Sequence, residues 1–286
     1  MTCNEINIRD PFILYKNGQY YMYGTRAENF GKKTGGFDVY VSADLVNWSE
    51  PIPCFDSEKF GMNRFVNWAP EVHEYNGKYY MFATFTQENE LKATYILKAD
   101  RPEGPFVPHS NGPVTPVDWQ SLDGTLYISK DGVPYLVFCH EHAQIVDGTI
   151  CYVQLSDTLT EAITEPVTMF AASSCPWVDK HQPTGHYVTD GPFLFRTEGG
   201  ALLMIWSSFI KGKYAELLAR FDGGEIGTDI THLPPLLDND GGHGMIFRGG
   251  DKLWLIFHSP NQKGLEHPAF LEIIDRGENV VLKKQD

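Results

Sequence analysis

Asp10 to Thr25 reads DPFILYKNGQYYMYGT. A polar leader opens a hydrophobic run, an Asn-Gly turn follows, and an aromatic-rich run closes the phrase. The same phrase returns at Glu71 (EVHEYNGKYYMFAT), Asp123 (DGTLYISKDGVPYLVFCH), Asp190 (DGPFLFRTEGGALLMIWSS) and His243 (HGMIFRGGDKLWLIFHS). Asn17-Gly18, Asn76-Gly77, Asp131-Gly132, Gly199-Gly200 and Gly249-Gly250 supply the turns, and Asn-Gly or Asp-Gly between apolar runs is the strongest short hairpin signal. The runs after the turns, such as Tyr20-Tyr21-Met22-Tyr23 and Leu253-Trp254-Leu255-Ile256-Phe257, are almost continuously hydrophobic, which suits strands covered on both faces. A hairpin recurring at about 50–65 residues marks a propeller with one hairpin at the same place in each blade.

Five copies predict an all-β fold, a single five-bladed β-propeller occupying residues 1–286 as one catalytic domain. Each hairpin needs two more strands. The sequence offers 38–42 with 43–48, 93–99 with 102–106, 150–156 with 167–170, 214–221 with 233–237, and 269–274 with 280–282. An irregular β-sandwich is the plainer alternative, and the regular hairpin spacing counts against it.

Composition narrows the function. The chain has 286 residues, 42% hydrophobic and 13% aromatic, enough for a large core. Net charge is −14, so no nucleic-acid partner is expected, because phosphate binding needs a basic footprint. The five cysteines at 3, 54, 139, 151 and 175 show no CxxC spacing and read as free thiols, with Cys139 a small core residue. No run is apolar and long enough to suggest a membrane partner. Without a visible leader peptide the expected location is cytoplasmic, the alternative being export with a leader removed. Oligomeric state is not legible.

Taken singly, Asp10 before Pro11 reads as an ordinary aspartate capping a turn, and Asp123 and Asp190 before glycines read as turn residues. Taken together they change meaning. Leaders that start the innermost strand of separate blades point at one axis, and carboxylates gathered there suggest hydrolytic acid–base chemistry.

At this point the chain resembles a known family, the five-bladed propeller glycosidases of glycoside hydrolase family 43, which include β-xylosidases, α-arabinofuranosidases and arabinanases. The resemblance rests on Arg9-Asp10-Pro11-Phe12, Trp68-Ala69-Pro70-Glu71, Ser121-Leu122-Asp123-Gly124, Asp190-Gly191-Pro192 and Gly242-His243-Gly244. Phrases such as Ser42-Ala43-Asp44-Leu45-Val46-Asn47-Trp48 and Pro102-Glu103-Gly104-Pro105-Phe106 extend it over essentially the whole chain. It implies that Asp10 is the general base, that Asp123 tunes and orients the acid, and that Asp190 stands where the family has the glutamate of Glu-Gly-Pro. Aspartate is one methylene shorter, so Glu141 and Glu71 are the substitutes to consider. The resemblance also implies inversion and a small oligosaccharide partner. It requires no cofactor, although in some members a structural calcium ion lies in the central channel near a histidine placed like His243. His140 and His142 share a strand face but lack a third ligand for zinc.

Trp68, Trp119, Trp177 and Phe12 are candidate sugar platforms, with Trp68 the strongest because it starts the strand that carries Glu71. Arg9 and Arg248 are candidates for contacts to sugar hydroxyls. The reading is therefore a glycosidase acting on β-xylosides or α-arabinofuranosides. The rivals are a catalytically silent carbohydrate-binding propeller and a related propeller glycosidase acting on fructosides or galactosides.

Overall fold

The computed structural model describes residues 1–27, 35–62, 65–182 and 184–284. Among these residues twenty strands form five antiparallel four-stranded sheets, each built from consecutive strands in order. The blades are β1 (Ile8–Lys16), β2 (Gln19–Arg26), β3 (Gly36–Ser42), β4 (Ile52–Asp56); then β5 (Asn67–Tyr75), β6 (Lys78–Thr86), β7 (Lys92–Ala99), β8 (Val107–Pro108); then β9 (Ser121–Ile128), β10 (Pro134–His140), β11 (Thr149–Gln154), β12 (Val167–Ala171); then β13 (Asp190–Arg196), β14 (Leu202–Ile210), β15 (Lys213–Phe221), β16 (Ile230–Leu237); and last β17 (Gly242–Gly249), β18 (Lys252–Ser259), β19 (His267–Asp275), β20 (Val280–Leu282). The fold is the five-bladed propeller expected from the hairpins. A short α-helix, α1 (His142–Ile145), follows β10.

The first strand of every blade lines the axis, and the core lies between blades. Met22, Tyr23, Val72 and Met81 join the first two blades, and Leu203, Ile205, Leu255 and Ile273 the last two. This double-sided burial explains why the middle strands are hydrophobic at nearly every position. At Asn17-Gly18 and Asn76-Gly77 both residues have positive φ (51° and 78°, 48° and 72°), the conformation that a two-residue hairpin turn requires.

No strand is shared between the first and last blades among the described residues, so the ring closes through its N-terminal segment. Ile8 N–H donates to Glu266 O at 3.1 Å, and the His267 imidazole donates to Ile6 O at 2.8 Å. Buried Glu266 pairs with the Arg9 guanidinium at 2.7 Å.

Two expected outer strands differ. Residues 43–48 form a turn in which Asp44 Oδ1 accepts from Val46 N and Asn47 N, and the outer strand of that blade is Ile52–Asp56. Residues 102–106 likewise form a connection, and the outer strand is Val107–Pro108. The other outer strands fall where expected, with Val280–Leu282 at the expected bounds. All five cysteines are free, and Cys139 is fully buried. Among the described residues no helix is long and apolar enough to cross a membrane.

Candidate active site

Each inner strand carries a bulge at its axial end, where two residues oppose one. Arg9 pairs with Thr25 and Phe12 with Tyr23; the same slip lies between Trp68 and Glu71, Leu122 and Thr125, Asp190 and Phe193, and Gly242 and Met245. The first bulged residue is left-handed in all five blades: Asp10 (φ 53°), Ala69 (44°), Asp123 (56°), Gly191 (49°) and His243 (50°). Non-glycine residues rarely adopt this conformation, and its recurrence around an axis marks a place where backbone strain is retained. Three of these positions, Asp10, Asp123 and His243, carry ionisable side chains. The other two carry a methyl group or nothing, and the three side chains line a cavity of about 170 Å³.

The repeats are therefore not in the phase that their leaders suggest. Asp190 precedes its bulge residue by one position, and Glu71 follows its own by two. Glu71 belongs with Phe12 and Phe193 in a layer further along the channel, where those two rings meet across the axis with centroids 6.1 Å apart. Glu71 bonds His73 Nε2 there at 3.0 Å.

Asp10, Asp123, Asp190, Trp68, Glu141 and His243 line the cavity together with Arg9, Leu122 and His142. Glu71, Phe12 and Arg248 do not. Arg248 is half exposed and pairs with Glu198 at 3.1 Å. Trp119 stacks on His140 with ring centroids 3.9 Å apart, and Trp177 packs against the core between the third and fourth blades. Glu141 is committed to an ion pair with Lys92, whose ammonium also lies 5.2 Å from the Trp68 ring centroid.

His243 is the hub. Its Nδ1 lies 3.1 Å from Asp10 Oδ1 and 3.9 Å from Asp123 Oδ2. Burial alone would lower its pKa, but Asp10, Asp123 and Asp190 outweigh burial and push it up to about 9, so the ring is an imidazolium at neutral pH. Asp10 is gripped from three sides. Thr25 Oγ1 donates to its Oδ2 at 2.6 Å, His243 faces Oδ1, and Arg9 Nε stands 4.0 Å from Oδ1. Burial works against the charged form of Asp10, yet His243 and Arg9 together hold its carboxyl below the usual range. His258 Nδ1 accepts from Asp10 N at 3.2 Å; burial and Arg9 drive that ring down to about 3, so it stays neutral.

Asp123 and Asp190 are displaced the other way. Burial raises both; His243 opposes this in each, while Asp190 and Asp10 repel the Asp123 charge and Glu141 repels that of Asp190. Asp190 is the most open of the three to the cavity, and Tyr214 donates to its Oδ2 at 3.1 Å. The site thus sets one carboxylate whose charged form is favoured beside a pair whose charged form is disfavoured, an asymmetry that acid–base hydrolysis can use.

Thr25, Tyr214 and Glu216 were not singled out from sequence, and His142, expected to share a strand face with His140, instead opens α1 because β10 ends at His140. Glu216, fully buried, accepts from Gly244 N at 2.9 Å and from Ser207 Oγ at 3.3 Å; burial pushes it up to about 8, so it is a neutral acid behind His243. His142 Nδ1 lies 3.2 Å from His186 Nδ1 at the cavity rim.

Gly191 is required twice, by its left-handed φ and because a Cβ there would lie 2.6 Å from His243 Cδ2. Gly18 shares the positive φ, but a Cβ there would meet nothing within 4 Å. Gly18→Ala is expected to lose about 1 kcal/mol in urea unfolding, and Gly191→Ala at least twice that together with turnover, because the imidazole must move. Equal losses in the two variants would show that the His243 contact does not matter.

The comparisons with known proteins agree with this architecture. The family description "Glycosyl hydrolases family 43" matches residues 5–275. A solved endo-arabinase from Bacteroides thetaiotaomicron VPI-5482 is 36% identical, with a TM-score of 0.88 over 96% of this chain and 97% of that one. An endo-1,4-beta-xylanase structure from the same organism is 25% identical, with a TM-score of 0.80 over 99% and 96% of the two chains. A xylosidase/arabinosidase of Bacteroides ovatus is 31% identical over 150 residues, 43% of each protein, so the match spans less than half of that curated relative. With a family match running from the first blade into the last, the chain belongs to the glycosyl hydrolases of family 43.

Proposed function

We propose that this protein hydrolyses α-L-arabinofuranosidic bonds in short pentose oligosaccharides, with β-xylosides as the second substrate class, by inversion of the anomeric centre. The observation that carries the proposal is the meeting of Asp10, Asp123 and Asp190, from three different blades, in one cavity around His243. Asp10, held ionised, takes the proton of the attacking water. Asp190, kept protonated and open to the cavity, gives its proton to the leaving oxygen. Asp123 stands beside both, its charge repelled by Asp190 and Asp10, so that it and Asp190 share the retained proton. Trp68 offers a ring face at the rim for the apolar side of a sugar. The arabinan preference is supported by the likeness to the 36% identical endo-arabinase.

The calcium ion that the resemblance implies near His243 is not used in this scheme. The His243 Nδ1 is directed at Asp10 Oδ1 and Asp123 Oδ2, which engage that nitrogen as a hydrogen-bond donor rather than as a ligand. Among the described residues no group of three or more His, Cys, Asp or Glu side chains is placed to hold one. The donor set does not fit direct ligation, and His243 acts instead as the counter-charge of Asp10.

The test is a panel of aryl α-L-arabinofuranosides and β-D-xylosides alongside arabino-oligosaccharides, with proton NMR on the first product formed. Release of the inverted anomer, most rapid with the arabinosides, is expected. Retention would overturn the mechanism. Binding without release of any sugar would turn the reading to the carbohydrate-binding propeller.

A further inference from the structure

At four of the five blade junctions, the backbone N–H of the bulged residue is caught by a side chain of the preceding blade. The acceptor always occupies one register position, the second-strand residue paired with the residue before that blade's own bulge. Thr25 Oγ1 accepts from Ala69 N at 2.8 Å, and Thr84 Oγ1 from Asp123 N at 3.0 Å. Ser207 Oγ accepts from His243 N at 2.7 Å, and His258 Nδ1 from Asp10 N at 3.2 Å. The fifth position is Cys139, which pairs with Leu122 as Thr25 pairs with Arg9. There the pattern breaks, and Gly191 N–H donates instead to Asp123 Oδ2 at 3.1 Å.

A thiol sulfur is a weak acceptor, whereas a hydroxyl or an imidazole nitrogen is a good one. We infer that Cys139 is a positioning residue. By offering no competitive acceptor at the fourth junction, it leaves Gly191 N–H to the Asp123 carboxylate and so holds that carboxylate between His243 and Asp190. The inference rests on the reading of Asp123 proposed above. Asp123 is otherwise loosely held, since His243 Nδ1 at 3.9 Å is beyond hydrogen-bond range. The titratable groups that face it are His243 of β17, Asp10 of β1, Asp190 of β13, Tyr214 of β15 and the fully buried Cys139 of β10, while Thr84 of β6 holds its backbone N–H.

The experiment compares Cys139→Ser, which restores the acceptor of the other junctions, with Cys139→Ala, which does not. Both replacements are no larger than cysteine, and thermal melts confirm that the variants are folded. The readout is the titration of Asp123, followed by NMR of carboxyl-labelled aspartate, together with the pH profile of kcat/KM. Gly191 N–H favours the ionised form of Asp123, so its diversion to the hydroxyl introduced by Cys139→Ser would leave that form less supported.

Cys139→Ser is expected to move the Asp123 titration upward by about one unit, because a hydrogen bond to a charged group contributes roughly that much. The alkaline limb of kcat/KM should follow in the same direction, and Cys139→Ala should leave the titration in place. If serine unfolds the protein, Cys139→Thr repeats the test with the residue used at Thr25 and Thr84. Equal shifts in the serine and alanine variants, or none in the serine variant, would overturn the inference. If Asp123→Asn proves fully active while Cys139→Ser still moves the carboxyl titration, the positioning stands and the assigned role of Asp123 fails.

Discussion

Asp10→Asn should abolish nearly all turnover while leaving substrate binding close to wild type. Asparagine is isosteric, and its amide oxygen can still accept from Thr25, so the bulge and the neighbouring blade contact survive. What it lacks is the capacity to take a proton. A general base contributes about 10²–10⁴-fold, and kcat should fall within that range with KM little changed. An activated aryl leaving group should not rescue the variant, because departure of the leaving group does not replace deprotonation of water. Azide, which needs no deprotonation, should restore bond cleavage and give a glycosyl azide of inverted configuration. The pH dependence provides a second check. With its carboxyl held below the usual range by His243 and Arg9, Asp10 loses its charge only at low pH, so wild-type kcat/KM should descend on an acid limb there that the variant lacks. Wild-type kcat in Asp10→Asn would place the base elsewhere.

The fold was legible because its signals are local. Asn17-Gly18 and Asn76-Gly77 demand a hairpin whatever surrounds them, and a strand covered on both faces must be hydrophobic throughout. The outer strands were harder. An edge strand is covered on fewer sides, so Val107–Pro108 has little pattern to show, while Asp44-Leu45-Val46-Asn47 looks strand-like yet is fastened as a turn by the Asp44 carboxylate. The site was legible as to which carboxylates gather but not as to phase. A bulge inserts one residue without a mark in the sequence, and so Asp190 and Glu71 read as equivalents of Asp10 although they lie one residue before and two residues after the equivalent position.

The latching side chains were hidden for a different reason. Thr25, Thr84, Ser207 and His258 sit where the repeated phrases end, but threonine and serine at a strand end are commonplace. Only the register shows them doing the same task at successive junctions. Arg248 had the chemistry for a sugar contact and the wrong location, pairing with Glu198 at the surface.

Asp190→Ala is expected to separate substrates by leaving group, and this is the sharpest test of the residue at which the chain departs from the Glu-Gly-Pro pattern. A poor leaving group cannot depart without a proton, so its hydrolysis should fall by about 10²–10⁴-fold; a nitrophenolate needs almost none and should fall little. Asp190 is one C–C bond shorter than glutamate, about 1.5 Å of reach. Its place just before the bulge and its opening toward the cavity let the shorter side chain face the substrate space, with Tyr214 fixing its Oδ2. Asp190→Glu should accordingly retain reduced but detectable activity. The alkaline limb follows from the same group. Burial raises the Asp190 pKa, so the proton is present at low pH and is lost as pH rises through that raised value, and the rate falls with it. Removing the carboxyl should abolish that descent for good leaving groups. If Asp190→Ala slows good and poor leaving groups equally, Asp190 is not the donor. The next variant is then Glu141→Gln, whose carboxylate would have to leave Lys92 to serve.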